Sequence, residues 1–244
     1  MANIYIGCSG FLYDHWKGPF YPEKLSKSLW FEYYCKRFPS IELNVTFYRI
    51  PERETFTKWY LSTPDDFVIS LKGSRFITHV RKLKDCEEPL EAFLTRASLL
   101  REKLGVILWQ FPQQFPCNIE RLSNFLDALK PYGMRHAFEF RNKTWITGKI
   151  SKLLEKAGAS LSMADWPPFL DELPLASNFV YIRRHGKEGN SDISYTSEET
   201  RNDLKRIKIY RKEGRDVFLY FNNDASGHAP QNAAELLALL RKKR

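Results

Sequence analysis

Eight short apolar runs recur along the chain, each ending in polar or charged residues and each followed by a segment with a helical pattern. The runs cover residues 4–8, 41–45, 67–71, 106–109, 136–140, 159–163, 179–182 and 217–221. Strands that alternate with helices form parallel sheets, and eight such units close into a barrel of about 250 residues. We therefore predict that the 244 residues form one α/β domain over 1–244, a TIM-like (β/α)8 barrel with a closed parallel sheet.

The segments between the runs carry signals for helices and for long loops. Apolar residues follow helical spacing over 90–104, and Gly105 is predicted to end that helix. Asn118 is a candidate N-cap for the next helix, and Thr196 with Glu199 has the spacing of a capping box. Segments 11–27 and 167–174 are predicted to be loops over the rim that the carboxyl ends of the strands form.

Polar residues share one face of each predicted strand. Side chains alternate between the two faces of a strand, and the opposite faces carry bulky apolar residues that should meet the helices. The small and polar face is therefore predicted to point into the barrel. Near the rim it carries Ser9, Glu42, Asn44, Ser70, Lys72, Glu139, Arg141, Arg183 and His185.

Composition narrows the class of protein. Hydrophobic residues make up 43% and aromatic residues 15%, which excludes a disordered chain. No apolar stretch approaches the roughly 20 residues of a membrane span, and the N-terminus lacks the pattern of a secretory signal. The four cysteines form no CxxC pair. We expect a cytoplasmic protein with reduced cysteines and without a membrane partner.

The net charge of +9 favours an anionic partner, either a small molecule or a nucleic acid. The alternative is that the basic segments 205–215 and 241–244 are ordinary solvated helix surfaces. At the rim, Lys72, Arg141 and Arg183 are candidates for an anion clamp. They would otherwise neutralise Glu42, Glu139 or Asp165, because buried charges must be paired.

Two carboxylates and one histidine are the candidate catalytic groups. Glu139 and Asp165 are candidate general bases. His185 is the candidate proton shuttle, with a purely hydrogen-bonding role as the alternative. The expected substrate-binding residues are Ser9, Asn44, Tyr48, Lys72, Arg141, Arg183, Asn222 and Asp224. The segment that contains Asn222, Asp224 and His228 could instead cap the last helix.

Cofactor signatures are weak. The five histidines form no HxH or HExxH pair, so no metal site is predicted. A single Mg²⁺ held by Glu139 and Asp165 is kept as an alternative. No GxGxxG, P-loop or GxSxG motif occurs. Aromatic residues in the rim loops would either stack on bases or sugars, or pack the first loop over the barrel. They are Phe11, Tyr13, Trp16, Phe20, Tyr21, Phe47, Tyr48 and Trp166.

Several motifs resemble the YecE-like family, also called domain of unknown function 72. They run from the first strand to the last helix and are the segments 7–22, 42–48, 77–79, 108–112, 138–145, 164–165, 181–186 and 220–229, with Lys72. The resemblance implies a TIM barrel without an established activity. The family fold resembles endonuclease IV and sugar isomerases, which has prompted suggestions of nucleic-acid processing. This sequence lacks the histidine-rich zinc set of endonuclease IV.

The sequence leads to two functional hypotheses. The first is an enzyme that acts on an anionic, phosphoester or nucleic-acid-derived substrate at the C-terminal rim, as a hydrolase or a lyase of phosphoester or sugar-containing compounds. In it Lys72, Arg141 and Arg183 bind the anion, Glu139 or Asp165 is the base, and His185 is the acid or relay. The alternative is a non-catalytic nucleic-acid-binding or protein-interaction module.

Overall fold

Eight parallel strands form the central sheet of the protein, in a computed structural model that describes residues 2–241. The order of hydrogen-bonded neighbours is β1-β8-β7-β6-β5-β4-β3-β2. This is the order expected of a TIM-like barrel, so the predicted fold class is confirmed. The strands are β1 (Ile4–Cys8), β2 (Ser40–Leu43), β3 (Val68–Lys72), β4 (Leu104–Phe111), β5 (Arg135–Phe140), β6 (Ser160–Ala164), β7 (Phe179–Arg184) and β8 (Asp216–Phe221).

The barrel is nearly closed at the seam between β1 and β2. Ser9 pairs with Glu42 in parallel fashion just beyond the end of β1. Lower in the seam, the buried hydroxyl of Tyr34 accepts a hydrogen bond from the Cys8 amide at 2.7 Å and donates one to the Ser40 carbonyl at 3.0 Å. A Cβ atom on Gly7 would lie only 2.0 Å from the Ser40 carbonyl oxygen. Glycine is therefore required for the two strands to approach here.

Helices cover the outside of the sheet. Within residues 2–241 they are α1 (Trp30–Cys35), α2 (Val45–Tyr48), α3 (Arg53–Leu61), α4 (Glu87–Ala97), α5 (Ile119–Leu129), α6 (Gly148–Lys156), α7 (Ser197–Lys212) and α8 (His228–Arg241). Between β6 and β7 the chain forms only a 3-10 turn, Pro168–Leu170. The general expectation of a helix after every strand fails there, whereas the loop predicted over 167–174 is confirmed, because this segment is rich in proline, which lacks an amide hydrogen.

The predicted helix caps are partly right. Asn118 accepts a hydrogen bond from the Arg121 amide, and Thr196 with Glu199 forms the capping box. The helix predicted over 90–104 ends early: α4 ends at Ala97, and a 3-10 segment over Ser98–Lys103 follows, in which Arg101 has a positive φ of 49°. Gly105 does not end that helix but lies in β4, where a Cβ would come within 2.6 Å of the Val68 side chain. The predicted basic tail extends beyond Arg241, and residues 242–244 lie outside the described residues.

Two apolar clusters fill the two sides of the barrel wall. The inner cluster includes Ala137, Tyr181 and Tyr220, whereas their strand neighbours Phe138 and Ile182 belong to the outer cluster beneath the helices. The inner cluster fills the end of the barrel at which the strands begin, so the polar residues of the same strand faces lie at the carboxyl ends of the strands. Cys8, Cys35, Cys86 and Cys117 are free thiols. No helix within residues 2–241 is long and apolar enough to cross a membrane.

Candidate functional site

A cavity of about 500 Å³ opens at the carboxyl ends of the strands. This is the end at which TIM barrels carry their active sites, and the volume suits a small ligand. The predicted site residues Ser9, Glu139 and Asp165 do not line it. The lining residues are Tyr13, Asn44, Tyr48, Lys72, Gln110, Arg141, Arg183, His185, Asn222 and Asp224.

Arg183 occupies the floor of the cavity and is fully engaged by two carboxylates. Its Nε donates to both oxygens of Glu42, at 3.0 and 3.2 Å, and one terminal nitrogen donates to Glu42 at 2.9 Å. The other terminal nitrogen donates to Glu139 at 3.0 Å. Tyr181 adds a hydrogen bond to Glu42 at 2.6 Å. Burial alone would raise the pKa of the Glu42 carboxyl, but the Arg183 charge together with the hydrogen bonds that the carboxylate accepts lowers that pKa below its ordinary value.

Glu139 bridges Arg183 and Arg141 and has no exposed surface. The Nε of Arg141 donates to the second oxygen of Glu139 at 2.7 Å. Burial alone would raise the pKa of the Glu139 carboxyl, but Arg141 and Arg183 hold it well below its usual value. A carboxylate that is buried, ionised and shared by two guanidinium groups is a weak proton acceptor. The geometry thus gives Glu139 the task of charge compensation rather than the expected role of general base.

Arg141 has little donor capacity left for a ligand. One terminal nitrogen donates to the Trp166 carbonyl at 2.6 Å, and the other lies 2.6 Å from Glu139 and 2.8 Å from His185. Of the three cations expected to clamp an anion, Arg141 and Arg183 are thus occupied by acceptors of the protein itself, which leaves Lys72. Arg141 and Arg183 follow the alternative considered from the sequence, in which cations neutralise buried carboxylates.

His185 is buried beside these groups, and its neighbours fix its proton. Its Nε2 faces donor nitrogens of Arg141 at 2.8 Å and Arg183 at 3.4 Å, so Nε2 must accept. The proton then lies on Nδ1, which is 3.1 Å from the Asn222 side-chain nitrogen, so the Asn222 amide must turn over to present its oxygen as the acceptor. Burial and the Arg183 charge lower the pKa of His185. The ring is therefore neutral at pH 7 and orients Asn222.

Asp165 lies behind the cavity wall instead of facing into it. One carboxylate oxygen accepts from the His185 amide at 2.8 Å, and the other accepts from the Tyr195 hydroxyl. Asp165 thus connects the ends of β6 and β7 to the segment before α7, which differs from its expected role as a base. Ser9 is also buried, and its carbonyl accepts from Tyr13 at 2.8 Å and from Asn44 at 3.4 Å.

The expected Mg²⁺ ligands do not form a suitable donor set. Both oxygens of Glu139 are held by guanidinium groups, and both oxygens of Asp165 accept hydrogen bonds from protein donors. In the part of the chain that the structure describes, no group of three or more His, Cys, Asp or Glu side chains is arranged to hold a metal ion. These residues do not fit a divalent cation, which needs free carboxylate oxygens.

Lys72 differs from the other two cations. Its side chain extends from the end of β3 into the cavity, and Nζ has no hydrogen-bond or ion-pair partner among residues 2–241. The Nζ atom lies 4.3 Å from the centre of the Phe47 ring. Burial lowers the pKa of Lys72 to about 8, and the nearby Arg183 charge acts in the same direction. Lys72 is thus the cation that the site leaves available to a ligand.

The first loop and the end of β8 form one side of the cavity mouth. The Asp224 carbonyl accepts hydrogen bonds from the Trp16 indole and from His15, both at 2.7 Å. The Asp224 carboxylate lies 3.9 Å from His15, and burial raises its pKa. Trp16 and Tyr21 are fully buried, so these rings pack the loop, whereas Tyr48 is 71% exposed at the rim.

Three residues of the site were absent from the predicted catalytic and substrate-binding set, although Tyr13 was among the aromatic residues expected in the rim loops. Tyr181 lies two positions before Arg183 on β7, and Gln110 lies two positions after Leu108 on β4. Both therefore point into the barrel, and the alternation of side chains along each strand could have indicated them. Tyr13 lies in the first loop, which has no periodic pattern. Its position depends on the hydrogen bond to the Ser9 carbonyl.

Comparison with known proteins gives a family with the same architecture. The family described as "Protein of unknown function DUF72" matches residues 5–244. The UPF0759 protein YunF of Bacillus subtilis is 27% identical, over 97% of this chain and 94% of YunF. The UPF0759 protein YecE of Escherichia coli K12 is 33% identical over 57% of this chain and 48% of YecE.

Solved structures agree with the barrel. A DUF72 family protein from Thermotoga maritima superposes with a TM-score of 0.85 at 28% identity, covering 98% of this chain and 99% of the other. A D-psicose 3-epimerase superposes with a TM-score of 0.63, over 98% of both chains, at only 12% identity. The second likeness is one of fold alone.

Proposed function

This chain belongs to the DUF72 family of proteins of unknown function, and we propose that it is an enzyme that binds a small anionic substrate in the cavity at its C-terminal rim. One observation carries the proposal. Lys72 is the cavity cation without a carboxylate partner in the described part of the chain, while Glu42 and Glu139 are already shared by two arginines. An unpaired, partly desolvated ammonium attracts an anion more strongly than a surface lysine does.

Neutral polar groups surround Lys72 and would orient the substrate. Asn44 and Asn222 present amides to the cavity, and Tyr48 presents an exposed ring and hydroxyl at its edge. The paired charges beneath them form a fixed polar floor that need not reorganise when a ligand enters, which is the arrangement that enzymes use to stabilise charge. This arrangement favours a compact substrate with one anionic group and several hydroxyl or carbonyl oxygens.

Titration calorimetry with inorganic phosphate and glycerol 3-phosphate tests the anion site, with glycerol as the uncharged control. We expect Lys72→Gln to weaken binding by more than about tenfold, since a hydrogen bond to a charged group contributes about 1.5–3 kcal/mol. Lys72→Arg should retain binding, and Lys152→Gln on the exposed surface of α6 should match the wild type. Equal affinity of Lys72→Gln and the wild type would refute the assignment.

Turnover needs a separate test. The purified protein is incubated with a mixture of small phosphorylated and carboxylated metabolites, and depletion is followed by mass spectrometry. An enzyme should deplete one component with the wild type and not with Lys72→Gln. If nothing is depleted while anions still bind through Lys72, the catalytic part of the proposal is wrong and a binding function remains.

A nucleic-acid-binding module is the second candidate, because large apolar side chains stand exposed on segments that directly follow the strands. Tyr48, Phe76, Val80 and Trp166 are exposed, and the Arg81 guanidinium lies 5.2 Å from the Phe76 ring centre. Rings beside cations suit base stacking. Binding of a single-stranded oligonucleotide should then weaken steeply with salt and fall further in Tyr48→Ala. Salt-independent or undetectable binding would exclude this candidate.

A further inference from the structure

Lys72 combines features that anion binding alone does not require. Its Nζ contacts the face of Phe47 at 4.3 Å from the ring centre and has no ion-pair partner within residues 2–241. A lysine that serves only as a positive charge is stabilised by nearby carboxylates. Here the carboxylates whose charges act on Lys72, Glu42 and Glu139, are already occupied by guanidinium groups.

The charged and titratable groups around Lys72 determine its protonation. Burial and the Arg183 and Arg141 charges favour the neutral amine, whereas Glu139 and Glu42 oppose them, and the sum brings the pKa of Lys72 to about 8. The remaining neighbour, His79, is neutral, because burial and Lys72 lower its pKa to about 4. About one Lys72 in ten is then a neutral amine at pH 7, which is about 300-fold more than for a lysine with the ordinary pKa of 10.5.

The backbone holds this amine on a rigid part of the barrel. Lys72 is the last residue of β3 and pairs with Leu108 of β4. Its carbonyl accepts a hydrogen bond at 2.7 Å from the hydroxyl of Thr46, which is fully buried. Groups mounted on strands are held more precisely than groups on loops, and covalent chemistry requires such positioning.

We infer that Lys72 is a nucleophile that forms an imine with the carbonyl carbon of a small 2-oxo acid. The inference rests on the proposed function and makes its substrate class specific. Lys72 is the one cation free for the substrate in the described part of the site, so it must serve both as nucleophile and as charge partner. The anionic group must therefore lie next to the carbonyl, as the carboxylate of a 2-oxo acid does.

The reaction balances without a cofactor. The neutral Nζ adds its electron pair to the carbonyl carbon and gives a carbinolamine. The former carbonyl oxygen takes up protons and leaves as water, so that amine, carbonyl and one proton yield a protonated imine and water. The imine nitrogen has the same positive charge as the original ammonium, so the balance with Glu42 and Glu139 is unchanged.

Reductive trapping tests the inference directly. The wild-type protein is incubated with glyoxylate and sodium cyanoborohydride, and the modified lysine is identified by peptide mass mapping. We expect the first adduct on Lys72, with a rate that is half-maximal near pH 8. Lys72→Arg should lose this adduct, and Lys152→Arg should keep it. Labelling spread over the exposed lysines, with Lys72 no faster than Lys152, would overturn the inference.

The same variants separate the inference from the proposed function. If phosphate binding depends on Lys72 but glyoxylate is not trapped there, imine formation is wrong and the anion site stands. If neither phosphate binding nor trapping depends on Lys72, both are wrong. The trapping experiment uses the wild-type chain, so a folding defect in a variant cannot produce a negative result, and Lys72→Arg preserves the charge for the comparison.

Discussion

Replacement of Arg183 by methionine should be the most damaging substitution at the floor of the cavity. The guanidinium makes three hydrogen bonds to Glu42 and one to Glu139, and neither carboxylate is exposed. In Arg183→Met, Glu139 keeps Arg141, whereas Glu42 keeps only the Tyr181 hydroxyl as a strong donor. Leaving one partner of a buried pair uncompensated costs about 3–5 kcal/mol.

This loss is a large part of the total stability of a domain, which is about 5–15 kcal/mol. For a chain of this length it corresponds to a fall in melting temperature of roughly 10 °C. Urea unfolding followed by tryptophan fluorescence measures the free energy. The control is Arg211→Met on the exposed end of α7, which should change stability by less than about 0.5 kcal/mol.

The pH dependence of the variant provides an independent check. Without Arg183, burial should raise the folded pKa of Glu42 above its ordinary value of 4.5, so acidification should restore part of the lost stability. Glu42→Gln in the Arg183→Met background should do the same at neutral pH. If Arg183→Met unfolds at the same urea concentration as the wild type, the carboxylates are not held by Arg183 and the reasoning fails.

Three further predictions concern the wild-type fold. Glu42 and Glu139 have lowered folded pKa values, so their stabilisation should be complete above pH 4.5 and be lost as the pH falls through those values, as acid-induced unfolding will measure. Tyr34→Phe removes the hydroxyl from the seam between β1 and β2 and should cost about 1–3 kcal/mol in urea unfolding, and no loss would mean that the seam closes without it. Thr196→Ala removes the capping box of α7 and should cost about 1 kcal/mol, whereas Ser197→Ala beside it should cost less.

The strand pattern was predicted well because it depends on local alternation. The inward position of Lys72, Glu139 and Arg183 followed from their neighbours on the same strands, and so did their location near the rim, where Lys72 and Arg183 line the cavity and Glu139 contacts Arg183 beneath it. Gly105 was misassigned because a glycine that ends a helix and one that admits a neighbouring side chain look the same in the sequence. The difference is the approach of Val68 from the adjacent strand.

The sequence by itself determined the barrel and the set of charged residues at its upper end, because periodicity and chain order decide which side of each strand is buried. Only the tertiary structure decided how those charges are paired. Glu42, Glu139, Arg141 and Arg183 come from three different strands and their ends, and their distances fix two arginines on two carboxylates. Electrostatic pairing falls off over a few ångströms, so Lys72 became the free cation through geometry that no local pattern encodes.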